Sequence, residues 1–191
     1  FVSIDYRTTE ELGAIQGMSQ EEVITYYTGI APQEWIDTAL QGSQNPGQVQ
    51  QATAMYLAQR DAKAALRWIV ANADIYDINT DFITVGGASA GAITTIALGI
   101  SNQEDFRDEI SISADPTLST TNLDETYDVR SMVYFWGSNI KLDVFESVYQ
   151  LNQYDRYDVN APELFMPHGQ AHDPVTPYQE ALKLQSIYTP L

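Results

Sequence analysis

Phe82-Ile83-Thr84-Val85-Gly86-Gly87-Ala88-Ser89-Ala90-Gly91 decides how this chain is read. Phe82 to Val85 is a short β-rich run, of the kind that lies buried in a parallel sheet. Ala92 to Ile100 reads as an apolar helix, with Ile93, Ile96, Ala97 and Ile100 on one side. Between them stands Gly87-Ala88-Ser89-Ala90-Gly91, which is G-x-S-x-G. A nucleophilic serine must stand exposed on a tight strand-to-helix turn, in a strained backbone conformation. Bulky residues two positions either side would collide as strand and helix pack together, and glycine at both places removes the Cβ atoms. The Ala90 N–H then points at an oxyanion from a helix start, where the dipole favours negative charge. A glycine-rich turn with a passive serine carries the same letters. A phosphate loop is the other reading, but the G-K-[ST] that follows in one is absent. The place of the motif, directly after a β-run and directly before a helix, favours the nucleophile.

Working outward, Gln48 to Ala73 is strongly helical, with Met55, Ala62, Leu66, Ile69 and Ala73 on one face. Ser19-Gln20-Glu21-Glu22 is a capping box that predicts a short helix to about Gly29. Pro32 stands at the first position of another. Residues 42–47 are a loop, and Asp74 to Asp81 is a polar turn. Residues 1–7 and 109–113 both alternate apolar and polar, which predicts strands. Ser131 to Trp136, ended by Gly137, and Glu163 to Met166, stopped by Pro167, are two more. Residues 115–130 are an acidic, Thr-rich loop. Helices are predicted at Phe145 to Leu151 and Glu180 to Ile187. Strands alternating with helices predict α/β architecture with a mostly parallel sheet. Ligands in such sheets sit at the carboxyl ends of the strands.

The composition narrows the function. The chain has 191 residues, enough for one domain with a sizeable core. Nine Lys+Arg against 26 Asp+Glu give a net charge of -17, a field that repels phosphate backbones and argues against nucleic acid as a partner. No apolar run is long enough to cross a bilayer. There is no Cys, which removes thiolate nucleophiles and thiolate metal sites, and the two histidines, His168 and His172, leave little for a metal. No metal or cofactor is implied. Asp74, Asp77, Asn79 and Asp81 have the wrong spacing for a calcium loop and read as a solvated turn, as do Asp124, Glu125 and Asp128. Tyr26, Tyr27, Trp35 and Tyr56 would suit an acyl pocket or, more commonly, a core. The acidic, lysine-poor composition suits a secreted or salt-exposed protein.

The stretch from Asp61 to Gly91 resembles the α/β-hydrolase carboxylesterases, of the type-B, lipase-like kind. Those have a helix of the A-L-R-W-[IV] sort, a turn, a strand and G-x-S-A-G. Ser3-Ile4-Asp5-Tyr6-Arg7 is similar to the family strand that precedes that helix. Val133-Tyr134-Phe135-Trp136-Gly137 resembles a later strand. Met166-Pro167-His168-Gly169 with Asp173-Pro174-Val175-Thr176-Pro177-Tyr178 resembles the H-G-x-x-D-x-x-V-P-Y region that carries the triad acid, with one extra residue before Asp173. The fold implied is an α/β-hydrolase fold, with helices on both faces of the sheet. It is expected to be a central segment, incomplete at both ends, and a single domain in which residues 8–50 form a helical insertion or cap.

Carried over residue by residue, the resemblance makes Ser89 the nucleophile, Ala90 N–H an oxyanion donor and Asp173 the acid. Gly87, Gly91 and His168 support the turns. Asp115 and Asp143 are weaker candidates for the acid. The family order is Ser, acid, His. His168 and His172 both precede Asp173, and His172 is its immediate neighbour, a poor geometry for a base. The catalytic His and the H-G-G-G-type oxyanion loop are therefore expected outside these residues. The implied activity is hydrolysis of a small-molecule, lipid or polysaccharide ester. A second class stays open on the sequence: a non-catalytic scaffold or extracellular assembly protein of the same fold, with self-assembly as its partner.

Overall fold

The structure, a computed structural model, describes residues 1–138, 157–171 and 173–190. The chain forms two compact units. The first is Phe1–Asn72 with Gln103–Thr126, and the second is built from Ala73–Asn102 and the described residues from Tyr127 onward.

The second unit holds the sheet. Strands β1 (Ile83–Ala88), β2 (Val129–Phe135) and β3 (Glu163–Phe165) lie side by side in that order. Both pairings are parallel, so all three carboxyl ends share one edge. Val133 of β2 stands opposite Gly86 on one side and Phe165 on the other, and Ala88 stands opposite Phe135. The α/β class predicted from the alternation of elements is therefore present. Met132 and Tyr134, two residues apart, point to one face and are buried there. A helix with its apolar face down, α5 (Ala90–Ile100), covers β1 and β2. Gly99 brings it close: a Cβ there would run into the Met132 thioether. Burial raises the Tyr134 hydroxyl well above the ordinary tyrosine range. On the other face the Thr84 and Ser131 hydroxyls pair at 2.7 Å. The short α4 (Ala73–Tyr76) precedes β1, and α6 (Tyr178–Tyr188) buries Ala181 and Leu184.

The first unit is helical. Ser19 caps α1 (Gln20–Tyr27) as predicted: its Oγ accepts the Glu22 N–H at 3.3 Å and the Glu22 carboxylate accepts the Ser19 N–H at 2.7 Å. Pro32 is the residue before α2 (Gln33–Gly42), not its first. The long α3 (Pro46–Ala71) starts two residues before the predicted helix and runs through the middle of this unit. Trp35, Tyr56 and Phe106 form an aromatic cluster with ring centroids 5.6–5.7 Å apart. Tyr27, Trp35 and Tyr56 are thus core, while Tyr26 is exposed.

Three expectations fail, for related reasons. Residues 1–7 form no strand. Instead Arg7 is clamped to Asp61, with the Arg7 backbone N–H and guanidinium both donating to that carboxylate at 2.7–3.1 Å. Residues 109–113 are turns: Glu109 accepts the Phe106 N–H at 2.7 Å, and Ser111 O takes the N–H groups of Ala114 and Asp115. Alternation there reports only that Ile110 is buried and Ile112 exposed. The run Phe82 to Val85 is not buried either. β1 is an edge strand among the described residues, so only Val85 is covered and Phe82 is 66% exposed. The predicted helix at Phe145 to Leu151 lies outside the described residues.

Helix α3 also hides what its apolar pattern did not show. Arg60, Lys63 and Arg67, spaced to share a face, are all buried. The Lys63 Nζ donates to Asp105 O at 2.9 Å and the Arg67 Nε to Thr121 O at 2.8 Å, while Arg60 pairs with Asp115 at 3.3 Å. These cations pin the 103–121 segment. Lys63→Ala removes a buried donor and its alkyl stem together. It should lower stability by about 2–4 kcal/mol in denaturant unfolding, because the Asp105 carbonyl is left without its bond.

Candidate active site

Strand β1 ends at Ala88 and α5 begins at Ala90, so Ser89 alone makes the turn. It sits at φ 53° and ψ -116°, a left-handed conformation that costs a non-glycine residue about 1–3 kcal/mol. Two features hold it there. The Ser89 N–H donates to Phe135 O across the sheet at 2.9 Å, and the Ser89 carbonyl starts the helix by accepting from Ala92 at 3.0 Å. The side chain makes no capping hydrogen bond, and the residue is exposed. The glycine spacing has the predicted steric cause. A Cβ on Gly87 would overlap the Gly91 carbonyl carbon and oxygen, and would lie 2.9 Å from the Gly91 Cα. The Ala90 N–H belongs to the first turn of α5, where amides have no partner inside the helix.

Neighbouring strand ends are laced to this turn. After Phe135 the chain turns at Trp136, and the Trp136 N–H donates to Pro167 O at 3.1 Å. Ser89, Trp136 and Pro167 with His168 thus follow one another along the carboxyl edge. β2 separates β1 from β3, a backbone gap of about 10 Å. His168 lies in the irregular segment after β3, with Nδ1 2.9 Å from Gly169 O and its ring 5.9 Å from that of Tyr178. Its Nε2 is enclosed and has no hydrogen-bond partner among the described residues.

Asp173 stands in the loop between His168 and α6. Its Oδ1 accepts the N–H groups of Val175 at 2.8 Å and Thr176 at 3.0 Å, and its Oδ2 accepts the Thr176 hydroxyl at 2.9 Å. These backbone and hydroxyl donors hold the carboxyl below the ordinary aspartate value of 3.8. Asp115 has a structural post in the first unit. It caps the 3-10 helix Pro116–Thr120, pairs with Arg60, and is held ionised chiefly by the Thr117 hydroxyl. Asp143 and His172 lie outside the described residues. No group of three or more His, Asp and Glu among the described residues is placed to hold a metal ion. Trp136, expected as the last residue of its strand, instead follows the end of β2 at Phe135 and turns with φ 38°.

Residues 48–140 match the family model BD-FAE, a domain of the α/β-hydrolase and esterase class. That match gives the stretch spanning α3, β1, α5 and β2 an esterase-like hydrolase character at the level of class. No curated protein and no solved structure matches the chain.

Two measurements check this geometry. Gly87→Ala must push strand and helix apart, because the atoms in the way are backbone. It should cost about 1–3 kcal/mol in thermal or denaturant unfolding. The Asp173 carboxyl should titrate below 3.8 by NMR, and Thr176→Val should move it upward. Because the folded value is depressed, the stabilisation is present at neutral pH. It is lost as pH falls through the folded value.

Proposed function

We propose that the second unit carries the nucleophile of a serine hydrolase that cleaves carboxylic esters. In this reading a histidine from outside the present sequence takes the proton from Ser89 Oγ as that oxygen attacks the ester carbonyl carbon. The oxyanion that forms is held by the Ala90 N–H. Collapse breaks the bond to the alcohol, which leaves with the proton from the imidazolium. Water, deprotonated by the same imidazole, then attacks the acyl-enzyme, releases the acid and returns the proton to Ser89. Asp173 is the acid that orients the imidazole. Small-molecule, lipid and polysaccharide esters are the substrate classes of this reading, and the acidic composition is in keeping with work outside the cell.

The observation that carries the reading is the backbone at Ser89. A serine kept at φ 53°, with no capping duty for its hydroxyl and with glycine packed against glycine on either side, has a cost that a passive turn could avoid. Gly at that position would relieve it. The test is a fluorophosphonate probe followed by peptide mapping. An adduct on Ser89, absent in Ser89→Ala, is expected. Hydrolysis of simple esters should fall at least about a thousandfold in Ser89→Ala. A complete, folded protein that includes the residues beyond the present sequence and still takes no probe at Ser89 would belong to the scaffold class instead.

A further inference from the structure

We infer that His168 is a positioning residue for Asp173, on the reading of Asp173 as the acid that orients an imidazole. The His168 ring packs across the acid's loop and carries no proton in the reaction. The sequence holds two histidines, so proton transfer is the first role that His168 suggests. Its surroundings point elsewhere. Nδ1 lies 2.9 Å from Gly169 O, and a carbonyl only accepts, so Nδ1 carries the proton of the neutral ring. Nε2 is then the nitrogen with a lone pair to act as a base. That atom is enclosed and has no hydrogen-bond partner among the described residues. His168 also follows β3, and β2 lies between β3 and the strand that ends at the Ser89 turn. The ring therefore turns its apolar body and Nε2 inward and its bonded Nδ1 toward solvent, as an amphipathic side chain does.

What the ring touches is the far end of its own loop. On one side stands Pro167, whose carbonyl is pinned to the sheet edge by the Trp136 N–H at 3.1 Å. On the other stands Tyr178, the first residue of α6. The rings of His168 and Tyr178 are 5.9 Å apart at an interplanar angle of 54°, within the range of favourable tilted pairs. Gln170 Nε2 adds a donor to the Tyr178 hydroxyl at 3.5 Å. The end of β3 and the start of α6 are joined in this way, and Asp173 lies in the loop between them.

The two halves of that loop are held differently. After Asp173, Pro174 and Pro177 fix their own φ angles, and the buried Thr176 donates its N–H and hydroxyl to the carboxylate. Before it, Gly169, Gln170 and Ala171 are exposed, and a Cβ on Gly169 would meet no atom within 4 Å. The stiff half carries the acid, and the contact between His168 and Tyr178 ties that half to the sheet edge. The ring is near the group it positions. The N–H groups of Thr176 and Val175 hold the Asp173 carboxyl low, and a charge on His168 would lower it further.

The test uses the complete protein, with the residues beyond the present sequence. In His168→Ala the Asp173 carboxyl should titrate upward, toward 3.8, by NMR. Amide exchange at Val175 and Thr176 should quicken at least about tenfold. For a simple ester, kcat should fall about tenfold while KM stays within about twofold. His168→Phe keeps the ring and drops both nitrogens. It should keep the slow exchange and a kcat within about threefold of wild type, whereas a histidine that moves a proton would fail as badly in Phe as in Ala. Tyr178→Leu should match His168→Ala, and the double variant should be no worse than either, because both break one contact. Should His168→Ala not fold, Tyr178→Leu and His168→Phe carry the same test. A His168→Phe enzyme as impaired as His168→Ala, effects at 168 and 178 that add, or an unmoved Asp173 titration with unchanged exchange each overturn the proposal. Titration and exchange that move as expected while hydrolysis keeps its wild-type rate would instead overturn the reading of Asp173 as the acid.

Discussion

The close approach of two glycine backbones, Gly87 at the end of β1 and Gly91 at the start of α5, is the constraint on which the rest of the second unit depends. It lets a strand reverse into a helix through one residue. With Cβ atoms present, the turn would need more residues and the serine would be carried off the sheet edge. The strain this leaves at Ser89, about 1–3 kcal/mol, is smaller than the forces opposing it. The bond from Ser89 N–H to Phe135 O contributes about 1 kcal/mol. Full burial of Ile96 under the same helix contributes about 1.5–3 kcal/mol more, and Ala92, Ala97 and Ile100 add to it. Packing of α5 on Met132 and Tyr134 therefore holds the turn, and Gly99 makes that packing close.

Parallel pairing turns this local turn into a site. Antiparallel neighbours would send alternate strand ends to opposite edges. Here each of the three described strands delivers its following loop to the edge where Ser89 stands. The link from Trp136 N–H to Pro167 O then fixes the loop after β2 against the loop after β3. Positions along this edge are set by strand spacing, which side-chain changes barely alter.

The sequence was most legible where one residue type has one physical use. The glycine pair, the capping box at Ser19 and the glycine after β2 each mark a backbone geometry, and each is found in place. It was least legible where a pattern has two causes. The alternation in residues 1–7 and 109–113 describes one covered face, but a strand also needs a partner ladder. Asp61 and Glu109 instead take backbone N–H groups that a ladder would have used. The buried cations of α3 were hidden for the opposite reason. Arg and Lys are ordinarily exposed, so a helix carrying Arg60, Lys63 and Arg67 reads as having a solvated side there. Their partners are mostly carbonyls of a segment some 40–55 residues away, which no local pattern records. Trp136 read as the end of a strand because its apolar ring continues the β-rich run, whereas β2 stops at Phe135 and Trp136 turns away.

The bonding of Asp173 shows what its carboxylate has left to offer. A carboxylate offers about four lone-pair positions. Oδ1 receives two N–H groups and Oδ2 one hydroxyl, all from the turn of Val175 and Thr176. Those three donors keep the group ionised and fix its plane, and one position on Oδ2 is left. A residue that orients an imidazole has to stay charged through the proton transfer and accept a single N–H from a fixed direction. A carboxylate with all four positions filled could not meet the second demand. The turn at Val175 and Thr176 leaves one position open, and it is the local side-chain-to-backbone arrangement by which an aspartate shapes the approach to a helix.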